Sequence, residues 1–134
     1  MSQENVDVVR ACLEGWNRGD FAAWERDAHP DIEFFSAVAR LTEGRDVAWR
    51  GTEELRQFWD EWHSVWDLRV QLSEIRDFGE TVVAFGTQTA RGKASGAEVD
   101  SPVAYVFEFE HARIRRVSTH LDHAEALKAV GLEE

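Results

Sequence analysis

The chain has 134 residues, of which 43% are hydrophobic, and its 15 Lys and Arg against 26 Asp and Glu give a formal net charge of −11. This length suits one domain with a real core, so we predict a single domain over residues 1–134. The acidic balance disfavours nucleic acid and anionic membranes as partners. The single cysteine, the absence of a signal-peptide core and the absence of a long apolar run predict a cytoplasmic protein.

The N-terminal segment has the pattern of an amphipathic helix. Its apolar residues recur at steps of three and four, and they are Val6, Val9, Leu13 and Trp16, with Cys12 beside them. Gly19 suits the left-handed position that follows a helix, and Asp20 can cap a second, short helix from Phe21 to Asp27. A long helix with one apolar side needs a sheet to lie on.

The middle of the chain predicts one short strand and a third helix. His29-Pro30 is expected to break the chain, with a strand from Asp31 to Ala37 and an irregular segment from Val38 to Arg50. Thr52 can cap the third helix. Its heavily aromatic face consists of Leu55, Phe58, Trp59, Trp62 and Trp66.

The second half of the chain switches to a period of two and predicts four strands. They are the strand containing Leu68, Val70 and Leu72, then Thr81–Ala90, Ser101–Glu110 and Ile114–Leu121. Asp122 with Glu125 three residues on predicts a final helix, which Gly131 ends. Helices followed by an antiparallel meander indicate an α+β fold, and a sheet curved around the first helix would leave a cavity.

Several pieces of this sequence together resemble the SnoaL-like branch of the nuclear transport factor 2-like superfamily. In chain order they are Trp16-Asn17-Arg18-Gly19-Asp20-Phe21, His29-Pro30-Asp31-Ile32-Glu33, Trp49-Arg50-Gly51, Arg91-Gly92 with Ser95-Gly96, and Ile114 to Asp122 running into Ala124-Glu125-Ala126-Leu127. The similarity covers nearly the whole chain. It implies an α+β cone, in which a curved, mixed or mostly antiparallel sheet wraps N-terminal helices around an internal pocket. It also implies a homodimer formed through the outer face of the sheet.

The family includes ketosteroid isomerases, polyketide cyclases, limonene epoxide hydrolases and members without a known reaction, so fold alone does not give function. The resemblance places Cys12 at the position of the isomerases' helix tyrosine, Phe35 at that of their base, and Tyr105 near that of their strand acid. Phenylalanine cannot take a proton. The hydrolase Asp-Arg-Asp positions, and the cyclase aspartate near the last of them, are occupied by poor acids and bases: Thr87, Thr89 and Thr119. None of the three mechanisms therefore carries over.

Strand parity predicts an apolar, aromatic pocket with a few hydroxyls. Its expected lining is Cys12, Trp16, Phe35, Trp59, Trp62, Phe85, Thr87, Thr89, Phe107, Val117, Thr119 and Leu121. Such a wall suits a small, mainly apolar or aromatic molecule. Glu33 is a candidate general base with a raised pKa, and Tyr105 a candidate donor to a ligand carbonyl. The competing interpretations are an ion pair of Glu33 with Arg50 or Arg115, and a plain core role for Tyr105.

The run His120-Leu121-Asp122-His123 is the strongest metal-like motif. Parity places His120 on the outer face and Asp122 has a role as helix cap, so we predict no metal and no cofactor. Cys12 is expected to be a buried, inert thiol. Two functions stay open: binding of a small ligand with isomerase-, cyclase- or hydrolase-type acid–base chemistry, or a non-catalytic ligand-binding or dimerisation module.

Overall fold

The protein is described by a computed structural model that covers residues 2–43, 48–129 and 131. The elements within these ranges are α1 Ser2–Arg18, α2 Ala22–Asp27, β1 Ala28–Phe35, α3 Ala37–Glu43, β2 Ala48–Arg50, α4 Gly51–Val65, β3 Trp66–Asp77, β4 Thr81–Gly92, β5 Glu98–Glu110, β6 Arg113–His120 and α5 His123–Ala129. None of these helices combines the length and the apolar content that a membrane span requires.

The strands form one curved, open sheet in the order β2-β1-β6-β5-β4-β3. All neighbouring strands run antiparallel except β1 and β6, which are parallel. Helices α1, α2 and α4 pack on the face that we call the inner face, and α5 packs on the outer face. The predicted α+β fold with a mixed sheet is therefore confirmed.

The inner face carries the main hydrophobic core. Its strand residues are Ala28, Ile32, Phe34, Leu68, Val70, Val82, Ala84, Val103, Tyr105, Phe107, Phe109, Ile114 and Val117. Trp24 of α2 packs among them, with its ring centroid 5.6 Å from that of Phe107. The indole Nε1–H of Trp24 donates to the carbonyl of Cys12 at 2.8 Å, which ties α2 to α1. The alternation read in β5 from its aromatic residues is thus confirmed.

The outer face carries a second, smaller apolar cluster beneath α5. Its members are Val83, Phe85, Ala104, Val106, Ala126 and Leu127. The ring Nε2 of His123 lies 3.2 Å from the carbonyl oxygens of both Gly86 and Val103, which anchors the start of α5 to two strands. Asp122 accepts a hydrogen bond from the backbone N–H of Glu125 at 3.1 Å, so the predicted cap is present.

The end of α1 shapes the β3 edge of the sheet. Gly19 has φ +69°, as expected for the residue that ends a helix, and Asp20 accepts from the N–H of Ala22 at 3.0 Å. The side-chain amide of Asn17 accepts from the N–H of Val70 at 2.6 Å and donates to its carbonyl at 2.9 Å. Asn17 therefore fills one hydrogen-bonding position along an edge strand.

The predicted break at His29-Pro30 is wrong. Strand β1 begins at Ala28 and runs through Pro30, next to a register shift between Ala28 and Glu33 in its pairing with β6. A proline can be accommodated there because regular pairing is interrupted at the shift.

Further boundaries differ from the sequence prediction. Residues 37–43 form α3 where the end of a strand and an irregular segment were expected, and Ser36 caps it by accepting from the N–H of Ala39 at 3.3 Å. The rest of the predicted irregular segment consists of residues 44–47, which lie outside the described residues, and residues 48–50, which form β2. Trp66 begins β3 instead of extending the face of α4, because α4 ends at Val65.

Candidate functional site

A small, partly open cavity lies on the inner face where the ends of several elements converge, and we call it the cone cavity. Its lining residues are Trp16, Phe34, Ser36, Val38, Phe58, Trp62, Leu68, Gln88, Val103, Tyr105, Thr119 and Leu121. Its volume is about 30 Å³, which is room for about one or two water molecules.

Two hydroxyls of the cone cavity are already acceptors for backbone amides at the start of α3. Thr119 Oγ1 accepts from the N–H of Ala37 at 2.8 Å, and Ser36 Oγ accepts from that of Ala39 at 3.3 Å. These bonds hold α3 against the end of β6. They also leave each hydroxyl proton free to be donated elsewhere.

The remaining polar groups of the cone cavity are a phenol, an amide and an indole. The hydroxyl of Tyr105 donates to Gln88 Oε1 over 3.4 Å, a long hydrogen bond. Burial raises the pKa of Tyr105, so the phenol is neutral at physiological pH. The indole Nε1 of Trp16 is buried and has no hydrogen-bond partner among the described residues.

The cone cavity contains no carboxylate among its described lining residues. Glu33, the candidate base, lies on the opposite side of β1 and pairs with Arg50, whose Nε is 2.9 Å from Glu33 Oε2. Arg115 Nη1 lies 3.7 Å from the other carboxylate oxygen. The inward orientation of Glu33 that a general base would need is therefore wrong. The competing interpretation, an ion pair with Arg50 or Arg115, is what the structure contains, and both arginines take part.

The predicted inward orientation of Phe35, also on β1, is wrong in the same way. Phe34 is buried in the core, whereas the ring of Phe35 lies on the other side with the Arg116 guanidinium 4.6 Å from its centroid. Adjacent phenylalanines give no alternation, so the sequence could not decide which of the two points inward.

The predicted inward residues of β4 also lie on the outer face. Phe85 belongs to the cluster beneath α5, Thr89 donates to the carboxylate of Asp100 at 2.7 Å, and Thr87 is exposed. Gln88 is the β4 residue that reaches the cone cavity. Because α5 covers the start of β4 from outside, that strand is apolar on both faces and its periodicity is lost.

The other predicted lining residues divide into two groups. Those that line the cone cavity are Trp16, Trp62, Tyr105, Thr119 and Leu121. Those buried in the core away from it are Cys12, Trp59, Phe107 and Val117. The sequence analysis missed Phe34, Ser36, Val38, Phe58, Leu68, Gln88 and Val103, of which Phe58 and Leu68 did carry a signal as members of predicted apolar faces. That the predicted residues contact a ligand remains a prediction.

Two further candidates for reactivity are Cys12 and His120, and the environment of each favours a structural role. Burial and then the charge of Asp27 raise the pKa of the Cys12 thiol, which keeps it protonated. His120 lies on the outer side with its Nε2 3.1 Å from Ser118 Oγ. Burial and then the charge of Arg40 lower its pKa. In the described ranges, no group of three or more His, Cys, Asp or Glu side chains is placed to hold a metal ion.

A larger groove, of about 540 Å³, lies outside the cone cavity at the β3 edge. Most of its charged side chains are exposed: Arg18, Asp67, Arg69, Arg91, Lys93 and Glu98. Both charge signs are present along it, and Lys93 Nζ lies 4.0 Å from Asp67 Oδ1. It is a solvated polar surface with fewer aromatic side chains than the cone cavity, namely Trp66 and His63.

The fold and this cavity can be compared with known proteins. A family profile described as the SnoaL-like domain matches residues 9–117. The chain belongs to this family. No protein with curated annotation matches this SnoaL-like chain in sequence.

Solved structures share the fold over nearly the full chain. An NTF2-like protein of unknown function from Burkholderia pseudomallei K96243 is 23% identical, with 98% of this chain and 99% of that chain covered and a TM-score of 0.79. A putative SnoaL-like polyketide cyclase from Jannaschia sp. CCS1 is 16% identical, with 100% and 96% covered and a TM-score of 0.78. TerC, co-crystallised with polyporic acid, is 18% identical, with 96% and 97% covered and a TM-score of 0.76.

Proposed function

We propose that this SnoaL-like protein binds a small, mainly apolar or aromatic molecule in the cone cavity without transforming it. The observation that carries the proposal is the wall of that cavity, where five aromatic rings from four elements converge beside a few hydroxyls and an amide. The rings are Trp16, Phe34, Phe58, Trp62 and Tyr105. Apolar walls with a small number of placed polar groups are typical of sites for small molecules.

Binding requires the cone cavity to widen. Its volume of about 30 Å³ is far below the ~300–1,000 Å³ of ordinary ligand pockets. Three apolar lining residues are only half-buried, namely Val38 of α3, Trp62 of α4 and Leu121 after β6. Side chains of this kind change rotamer on the nanosecond timescale, so they can move outward while the buried core stays in place.

Two proteins of the same fold support a ligand-binding role. TerC was co-crystallised with polyporic acid. A protein with a ketosteroid isomerase-like fold from Catenulispora acidiphila, with a TM-score of 0.74, is in complex with trimethylamine. These ligands belong to those proteins, and they support only the use of this fold to hold small organic molecules.

We favour binding over acid–base chemistry because of the groups that line the cone cavity. Tyr105 is the one ionisable side chain among the described lining residues, and its raised pKa keeps it neutral. Glu33 is outside and held between two arginines. The described residues that line the proposed site therefore include no general base of useful pKa.

Homodimerisation also remains a proposal. The resemblance implies a dimer through the outer face, and α5 covers the apolar cluster of that face. A dimer of this type would have to include α5 in its interface.

Ligand-observed ¹⁹F NMR with 4-fluoroacetophenone tests the binding proposal, and a matched pair of variants locates the site. Val38→Trp narrows the mouth of the cone cavity, whereas Thr87→Trp adds the same bulk on the exposed outer face. We expect line broadening of the probe with the wild type and Thr87→Trp, and its loss with Val38→Trp. No broadening with the folded wild type, or equal broadening with Val38→Trp, would overturn the proposal.

A further inference from the structure

Resting on the proposed function, we infer that the cone cavity selects an uncharged ligand bearing a carbonyl-type acceptor, and that the indole N–H of Trp16 binds this acceptor. Trp16 is then the residue that sets polar specificity, because its N–H distinguishes ligands of nearly identical size and shape.

The first support is the unpaired donor itself. Trp16 is 5% exposed, it lines the cone cavity, and its Nε1 has no partner among the described residues. An indole N–H can donate but cannot accept, so only an acceptor can satisfy it. Buried donors in native proteins ordinarily have a partner, which points to a molecule that enters the cavity.

The indole of Trp16 is also held in place. Its ring makes an edge contact with Trp59 at 4.9 Å and lies 4.7 Å from the ring of His63. The Nε2 of His63 lies 3.1 Å from the Trp16 carbonyl oxygen. A ring fixed from several sides cannot rotate freely to find another acceptor, so the donor is pre-organised for a ligand.

The remaining polar groups also offer protons to a ligand. Thr119 and Ser36 already accept from backbone amides, which leaves their hydroxyl protons available. The Oε1 of Gln88 accepts from Tyr105, which leaves the NH₂ of that amide available. The described lining of the cavity therefore offers several N–H and O–H donors. A ligand oxygen with two lone pairs can accept from more than one of them.

The acceptor should be neutral. The described lining includes no arginine, lysine or histidine that could pair with an anion. A carboxylate would lose its hydration on entering and gain no opposite charge. The net charge of −11 adds a further, longer-range repulsion. A ketone, aldehyde, ester or quinone oxygen meets the donors without this cost.

The test compares three ¹⁹F probes of similar size: 4-fluoroacetophenone, 1-ethyl-4-fluorobenzene and 4-fluorobenzoate. We expect the wild type to bind the ketone about five- to tenfold more tightly than the hydrocarbon, the range expected from one buried hydrogen bond. The benzoate should bind most weakly. In ¹H–¹⁵N spectra, the Trp16 indole N–H peak should move downfield with the ketone but not with the hydrocarbon.

Trp16→Phe keeps an aromatic ring and removes the donor, and Trp66→Phe, which alters an indole outside the cone cavity, is the matched control. The ketone preference should disappear in Trp16→Phe and persist in Trp66→Phe. If Trp16→Phe does not fold, the indole peak of the wild type decides the question. Equal binding of ketone and hydrocarbon, or an unmoved indole peak, would overturn this inference and leave the proposed function standing. Failure of all three probes to bind would overturn both.

Discussion

The two faces of the sheet differ in the side chains that they bury. They also differ in how well the sequence predicts which residues belong to each face. The inner face packs aromatic and aliphatic side chains against three helices, and its polar groups around the cone cavity are neutral. The outer face combines one apolar cluster under α5 with ion pairs such as Glu33–Arg50. Phase is clear in a strand only where its two faces differ in polarity, as in β5 near Glu108 and Glu110. Where both faces are covered, the period of two vanishes.

The largest effect that separates the two faces should come from Phe107→Ala. Phe107 is fully buried on the inner face and packs against Trp24 and Tyr105. We expect a loss of about 3–5 kcal/mol in the free energy of unfolding, since a large ring leaves a cavity among rigid neighbours. Urea denaturation followed by circular dichroism measures it. A loss below about 1 kcal/mol would contradict the role of the inner face as the main core.

Phe85→Ala is the matched change on the outer face and should cost less. Phe85 is buried under α5, a helix of seven residues. Its ring contacts the imidazole of His123 and the guanidinium of Arg76. A short helix can settle onto the truncated side chain, so we expect about 3 kcal/mol, at the lower end for such changes. The same denaturation assay applies. A cost equal to that of Phe107→Ala would show that α5 is as rigid a cover as the inner helices.

Strands β4 and β5, which carry Phe85 and Phe107, also show how far the sequence could predict the fold. The order of the elements other than α3 and β2, the mixed sheet and the α5 cap followed from periodicity, capping residues and the family resemblance. The phase of β5 was correct because charges mark its outer side. The phases of β1 and β4 were not, because Phe34-Phe35 and Val82–Phe85 are apolar in consecutive positions and only the tertiary placement of α5 and Arg116 decides which side faces inward.

The candidate site was predictable only in part for the same reason. Five of its residues were found because they lie on, or directly after, strands or helices with an evident apolar face. Gln88 was missed because the error in β4 moved it outward, and α3 with Val38 was missed because a seven-residue helix offers little periodicity. The unpaired indole of Trp16 depends on distances to every neighbouring group, which no sequence pattern records.

Asn17→Ala tests how α1 is attached to β3 at the border of the inner face. The change removes both hydrogen bonds to Val70 and leaves the backbone groups of that residue to water. We expect a loss of about 1–2 kcal/mol. Faster hydrogen exchange at the Val70 amide would show that the loss is local. Asn17→Asp, which keeps the acceptor but not the donor, should retain part of the Val70 amide protection.

Glu33→Gln should have a small effect, which distinguishes an outer-face ion pair from a catalytic base. Arg50 is largely exposed and Arg115 partly so, so we expect less than about 1 kcal/mol of destabilisation, reduced further by salt. Binding of 4-fluoroacetophenone should stay within about twofold of the wild type. Glu53→Gln, an exposed change on α4, is the control. A tenfold loss of binding in Glu33→Gln alone would return the glutamate to the site.

The smallest expected effect is on the pH dependence of stability, and it comes from His120 on the outer face. Burial, with the charge of Arg40, lowers the pKa of His120 in the folded state, and Glu125 opposes this shift. The unfolded chain then binds the proton more readily below pH ~6.5, so this stabilising contribution is present above that pH and is lost as pH falls through the folded pKa. Unfolding at pH 7.5 and pH 5 should show a smaller pH-dependent loss for His120→Gln than for the wild type. Equal losses would remove His120 as the source.

The parallel pairing of β1 with β6 has a consequence for biosynthesis. β6 separates β1 from β5 in the sheet, so the segment Ala28–Phe35 cannot join the meander until Arg113–His120 has been made. Until then β1, which packs against α4, and β3, which packs against α1, are not joined in one sheet, and such long-range pairing is slow to form. Nascent chains that stop before residue 113 should therefore require a chaperone, whereas chains that reach residue 120 already contain every strand of the sheet.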